Sequence, residues 1–118
     1  MTTQLLQAQS KFATILLPRL LDKINELGYT CTVGEAYRTP EQAALNAKKG
    51  TGIADSLHCK RLAIDLNIFK DGVYLTDGVK FKEIGVYWKS LNPNNAWGGD
   101  FTTNPDGNHF SYSYGGVK

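Results

Sequence analysis

Leu62-Ala63-Ile64-Asp65-Leu66-Asn67-Ile68-Phe69 is the stretch that decides the fold. Its apolar residues at 62, 64, 66 and 68 alternate with Ala63, Asp65 and Asn67, the period of two expected of a strand with one buried face. A carboxylate that projects opposite a wholly apolar face needs a partner. Lys70-Asp71-Gly72 is a turn signal, so residues 73–75 are expected to return as a hairpin partner.

Upstream, residues 3–27 carry a helical pattern. Leu5, Leu6, Phe12, Ala13, Leu16, Leu17, Leu20, Leu21, Ile24 and Leu27 recur at spacings of three and four, and Gly28 is a C-terminal stop. Pro18 lies inside the run and predicts a kink or two consecutive helices. This segment reads as core, without chemistry. Residues 29–37, rich in Thr, Val and Tyr, read as a strand. Thr39-Pro40-Glu41-Gln42 opens a second helix, with Thr39 as N-cap, Pro40 at the first helical position and Gln42 completing a capping box. Gly50 should end it, and residues 50–57 are expected to form a loop.

Downstream, Phe81, Ile84, Trp88 and Leu91 outline a third helix over residues 79–91, stopped by Asn92-Pro93. Gly, Asn and aromatics then alternate in Trp97-Gly98-Gly99-Asp100-Phe101 and in Asp106-Gly107-Asn108-His109-Phe110-Ser111-Tyr112. These read as short strands joined by a loop at residues 102–105. The expected fold class is α+β, with helices packed on a small antiparallel sheet that carries the functional site.

With 118 residues the chain fits one domain, with an N-terminal helical segment at about 3–27 and a core at about 29–114. A net charge of +2 with scattered Lys and Arg lacks the basic stripe of a nucleic-acid binder. No apolar run approaches the roughly 20 residues of a membrane span. The run at 12–17 is broken by Pro18 and Arg19 and has no cleavage site after it. Synthesis in the cytoplasm without a signal peptide is therefore expected. Cys31 and Cys59 fit no C-x-x-C pattern and are expected to be free thiols. Cys59 is adjacent to His58, and neighbouring positions tend to point apart, which argues against both ligating one metal.

The two histidines, His58 and His109, each sit among polar residues near a predicted strand. His58 precedes Asp65 by seven positions, too irregular for one helical face. The pair works if His58 lies at the end of a loop and Asp65 on the strand that follows. Two imidazoles and one carboxylate leave one tetrahedral position of a zinc ion open, the catalytic rather than the structural arrangement.

The pattern Ser56-x-His58-x-x-x-x-Ala63-x-Asp65, followed by Asp106-x-x-His109, resembles the zinc peptidoglycan peptidases. These comprise D-Ala-D-Ala carboxypeptidases, D-Ala-D-Ala dipeptidases and phage L-alanyl-D-glutamate endopeptidases. The resemblance runs from about Gly34 to Phe110. Ala36-Tyr37-Arg38-Thr39 before a Gln-bearing helix, and Trp97-Gly98-Gly99 before the last motif, bring the chain nearest to the phage endolysin branch.

That resemblance implies Zn²⁺ held by His58, Asp65 and His109, with Asp106 as general acid/base and Arg38 facing the scissile carbonyl. It implies a peptidoglycan stem peptide as substrate, most simply cut at L-Ala–D-Glu, by a monomer that reaches the wall after holin-type release. A D-Ala-D-Ala carboxypeptidase or dipeptidase is the first alternative, and a non-catalytic zinc-binding wall module the second. One departure is plain: Arg61 stands where the family often has Gly. Blander roles are also open. Arg38 has Glu35 and Glu41 within pairing reach, Asp65 has Arg61, Asp106-Gly107 is a turn dipeptide, Ser56 can shape its loop, and Trp97 can simply pack.

Overall fold

A computed structural model describes residues 2–50 and 55–118. The N-terminal run forms α1 (Thr3–Lys11) and α2 (Leu17–Glu26), joined by a π-helical turn at Phe12–Leu16. Proline has no N–H to donate and its ring crowds the carbonyl four residues back. The chain meets Pro18 by widening the turn ahead of it, where the Leu17 N–H reaches the Phe12 carbonyl. Of the two outcomes expected at Pro18, the structure has two consecutive helices, joined by this π turn. Ala8, Phe12, Leu16, Leu20 and Ile24 form the buried stripe. Intervals of four drift by about 40° per step on a regular α-helix, and the wide turn takes up part of that drift. Leu6 and Leu21, expected in the core, are exposed at 52% and 37%. The helix ends where expected: Gly28 (φ +87°) donates to Asn25, and Tyr29 donates back to Ile24.

The predicted strand at 29–37 is shorter, β1 at Thr30–Val33. Beyond it the chain follows its neighbour only through single bridges, Gly34 N–H to Asp65 O and Asp65 N–H to Glu35 O, both 2.8 Å. Next comes α3 (Pro40–Lys48), with the Thr39 hydroxyl accepting from the Gln42 N–H. Among the described residues no bond from the Thr39 N–H to the Gln42 side chain closes the box; the Gln42 amide donates to Asn46. Gly50 (φ +75°) follows the helix as its stop. The loop expected at 50–57 lies in part outside the described residues, and Leu57 already belongs to a 3₁₀ turn, Leu57–Lys60.

The deciding stretch forms β2 (Ala63–Lys70). Leu62, Leu66 and Ile68 are fully buried and Ile64 nearly so, as the alternation predicts. A turn with Asp71 (φ +51°) and Gly72 (φ +78°) leads into β3 (Val73–Tyr74). The third helix begins later than expected. A 3₁₀ turn, Gly78–Phe81, which Asp77 caps, precedes α4 (Lys82–Ser90). Two further strands follow, β4 (Asn95–Trp97) and β5 (His109–Tyr112). Gly98–Asp100 is a 3₁₀ turn, not strand, and residues 106–108 form a turn ahead of β5.

The sheet is antiparallel with order β1-β2-β5-β4, and β3 pairs with β2. The fold is α+β, with α2 and α4 packed together beside the sheet. Trp88 sits at its centre, edge-on to Phe12 and Phe110 (centroids 5.8 and 6.2 Å apart). Its indole N–H donates to the carbonyls of Ala96 and Ser111, which satisfies the polar atom that so large a buried ring carries. No helix of the described residues is long and apolar enough to cross a membrane. The main core thus lies on the face of β2 and β5 that carries Ile64, Leu66 and Phe110. On the other face Ala63 and Ser111 are buried as well, and Asp65 and His109 beside them are left to carry chemistry.

Candidate metal centre

Asp65 on β2 stands directly opposite His109 on β5 in the antiparallel register. Directly opposed residues share a face, so both side chains leave the sheet on the side away from Leu66 and Phe110. His58 arrives from the 3₁₀ turn rather than from the end of a loop. The Ser56 hydroxyl accepts from the His58 N–H and opens that turn, so Ser56 shapes the local backbone.

The His58 Nδ1–H donates to the Ala36 carbonyl at 3.0 Å. A carbonyl can only accept, so this bond fixes the tautomer and leaves Nε2 as the lone-pair atom. Nε2 lies 3.3 Å from Asp65 Oδ1, and His109 Nδ1 lies 3.5 Å from the same oxygen. The three donor atoms fall within 4.8 Å of one another. Ligands about 2.0–2.1 Å from a tetrahedral zinc ion are roughly 3.3–3.4 Å apart. Asp65 Oδ1 is buried and has no hydrogen bond among the described residues, as an oxygen reserved for a cation would be. The donor set therefore fits zinc in number, atom type and spacing. Cys59 is not part of it: both cysteines are free thiols, and the Cys59 sulfur faces the Thr39 carbonyl at 3.9 Å.

Electrostatics agree with the geometry. Burial pushes the Asp65 carboxyl upward, but His109 and His58 beside it more than offset this and hold it at about 2. Burial lowers the His58 imidazole, yet Asp65, the Ala36 carbonyl and Glu35 raise it overall.

A cavity of about 550 Å³ opens over these three side chains and is also lined by Arg38, Asp106 and Phe101. Asp106 reaches it from the turn ahead of β5. Its carboxylate accepts from the Asn108 N–H at 3.2 Å, and its carbonyl accepts from the His109 N–H at 3.1 Å. Asp106 therefore shapes its own turn as well as facing the cavity. Trp97 braces that turn, donating from its indole to the Gly107 carbonyl at 2.7 Å, with its ring buried. Trp97 is thus a packing residue here. Asn108 adds bonds to Asn67 and to the Tyr74 hydroxyl, tying the turn to β2 and β3.

Arg38 lines the cavity while gripped by Glu35. Its Nε donates to one carboxylate oxygen at 3.2 Å and its Nη2 to the other. That bond with Glu35 holds the guanidinium pKa above its usual range, burial opposing it. Glu35 Oε1 also lies 3.8 Å from His58 Nε2. From the sequence, Glu35 is legible only as a partner for Arg38. Its position beside the histidine depends on the backbone bridge to Asp65, which no local pattern announces.

Arg61 does not pair with Asp65. Its guanidinium lies over the Tyr37 ring at 4.0 Å, and its backbone adopts φ +57°, the left-handed region that favours glycine. A glycine at this place would take that conformation without strain.

A family model described as D-alanyl-D-alanine carboxypeptidase, of the M15 peptidases, matches residues 49–112, more than half of the chain. The chain belongs to that family. It is accordingly a zinc-dependent peptidoglycan peptidase of M15 type. The fold is similar to that of the Serratia marcescens L-Ala D-Glu endopeptidase ChiX, with a TM-score of 0.68 and 19% identity over 96% of this chain and 89% of that one. It is also similar to the vancomycin-resistance D,D-pentapeptidase VanY solved with Zn(II), with a TM-score of 0.54 and 18% identity over 95% of this chain and 72% of that one. No curated protein matches the sequence.

Proposed function

We propose that this M15 peptidase hydrolyses the L-Ala–D-Glu bond of peptidoglycan stem peptides, as a phage or prophage endolysin that reaches the wall after holin-type release. The observation that carries the reading is the convergence of His58 Nε2, Asp65 Oδ1 and His109 Nδ1 under a cavity shared with Asp106 and Arg38. In this reading the three side chains hold zinc. The ion would supply a Lewis acid for the scissile carbonyl and lower the pKa of a water toward ~7. Asp106 takes a proton from the attacking water and passes it to the leaving amine. Arg38 donates to the oxygen that gains charge as the carbonyl becomes tetrahedral. Similarity to an L-Ala D-Glu endopeptidase over nearly the whole of both chains supports this bond.

The description of the family favours a second reading, removal of terminal D-Ala by a carboxypeptidase or dipeptidase. Mass spectrometry of muropeptides after digestion with zinc-loaded protein separates the two. The first reading expects the stem freed below L-Ala, and release of D-Ala or D-Ala-D-Ala in its place would refute it. A zinc-loaded protein that binds wall and releases no fragment would be a non-catalytic module.

A further inference from the structure

Arg38, a cation that lines the substrate cavity, is already paired with a carboxylate. Arg38 presents five N–H donors, and Glu35 takes two of them in a forked contact. Among the described residues nothing else takes the other three, which are left for a substrate oxygen, but the charge behind them is shared with a carboxylate of the enzyme. Glu35 is held in place from two directions. Its carbonyl accepts from the Asp65 N–H, and its side chain lies beside both Arg38 and His58. The Arg38 side chain is only 16% exposed, so little water competes for its charge. A free guanidinium in such a place would select substrates with a carboxylate next to the scissile bond. A paired one still hydrogen-bonds a neutral carbonyl and loses most of that preference.

We propose that Glu35 is a specificity-determining residue: by clamping and neutralising Arg38 it makes the site indifferent to whether the residue after the scissile bond carries a free α-carboxylate or a carboxamide. The proposal rests on the assignment of Arg38 to the substrate cavity and concerns whichever stem bond is cut. D-Glu and its α-amide are the chemical pair at issue for the L-Ala–D-Glu bond. Lys118 also lines the cavity. It is unchanged in the variants below, so a ratio of substrates isolates Glu35.

The test compares two synthetic stem tripeptides, L-Ala-γ-D-Glu-L-Lys and its D-isoglutamine counterpart. Should mass spectrometry show another bond to be cut, the matched acid and amide at that bond replace them. Zinc-loaded wild type is expected to give kcat/KM values within about threefold for the pair. Glu35→Gln, which removes the charge and keeps the shape, should favour the free acid by about tenfold, mostly through KM. Glu35→Ser is the second variant should the first fail to fold, and Glu35→Asp should restore most of the indifference. The same ratio is read as dissociation constants by calorimetry on zinc-loaded Asp106→Asn protein, which needs no hydrolysis. A wild type that already prefers the acid by more than about tenfold overturns the proposal. So does an unchanged acid-to-amide ratio in Glu35→Gln. Cleavage at an unexpected bond overturns the L-Ala–D-Glu reading alone.

Discussion

Asp65 and His109 are cross-strand partners in the β2–β5 ladder, and Oδ1 of the first lies 3.5 Å from Nδ1 of the second. Two of the three candidate ligands are therefore set by sheet register rather than by loop conformation. The third, His58, is set by its bond to the Ala36 carbonyl. An arrangement so fixed before any ion arrives should show itself in protonation equilibria.

In the metal-free protein, Asp65 titrates at about 2 rather than 3.8. It contributes stability above pH 3.8 that is lost as pH falls toward 2. His58 titrates above its ordinary 6.5, so its contribution is present below pH 6.5 and is lost as pH rises through the raised value. Both contributions coexist between those limits, and thermal denaturation of the metal-free protein at graded pH should place the greatest stability from this pair there. Zinc needs neutral His58 and must displace its proton at low pH. The zinc-induced rise in Tm should therefore be larger at pH 8 than at pH 6. An equal rise at both would contradict the ligand assignment.

Asp106 has a turn to hold as well as a proposed proton to move, and the substitution must separate the two. Asparagine keeps an oxygen for the Asn108 N–H. Asp106→Asn is expected to fold and bind zinc like wild type while losing roughly 10²–10⁴ in kcat, the range for removal of a general acid/base. Zinc competition with a chelator, run beside muropeptide hydrolysis, checks both halves.

Arg61 occupies a left-handed backbone position (φ +57°) and covers Tyr37 with its guanidinium. Left-handed backbone in a non-glycine residue costs on the order of 1–2 kcal/mol, and an exposed cation–π contact returns about 0.5–1. Arg61→Gly should leave stability near wild type, whereas Arg61→Ala, which loses the contact and keeps the strain, should be less stable than either. Urea melts of the three proteins rank them, and Arg61→Ala as the most stable would be inconsistent with this account.

Gly85 lies within α4, where Ala ordinarily gains about 1 kcal/mol over Gly. A Cβ there would come within 2.1 Å of the buried Trp97 ring. Overpacking against a buried ring costs about 1–3 kcal/mol and outweighs the helical gain. Gly85→Ala should lower stability in a urea melt. Because Trp97 braces Gly107, hydrolysis should fall further than the loss of folded protein explains.

How much of this was legible in the sequence depended on how local the cause was. Alternation along 62–69 gave β2 and its two faces, because a period of two needs no tertiary information. Thr39, Gly28 and Gly50 marked helix ends through their own backbone and side-chain chemistry. The residues proposed for the site, His58, Asp65, His109, Asp106 and Arg38, all line one cavity. The misses were non-local. The strand at 29–37 stops at Val33, where continuous pairing with β2 gives way to single bridges. The Gly98–Asp100 turn replaces expected strand because the chain bends to accommodate Trp97 and Asp106: a Cβ on Gly98 would meet the Asp106 carbonyl oxygen at 2.1 Å. The π turn ahead of Pro18 reflects a contest between a missing donor and a buried stripe, and composition cannot decide it.

On β2, Ile64, Leu66 and Ile68 face the core while Asp65, between them, faces the site, so a single strand serves the interior and the chemistry at once. Substitutions can be absorbed singly, on either side, without disturbing the other. A one-residue insertion or deletion cannot, since it would send Asp65 inward and Leu66 outward together. Lineages of this peptidase should accumulate replacements along 63–70 but length changes only in the connections on either side of it.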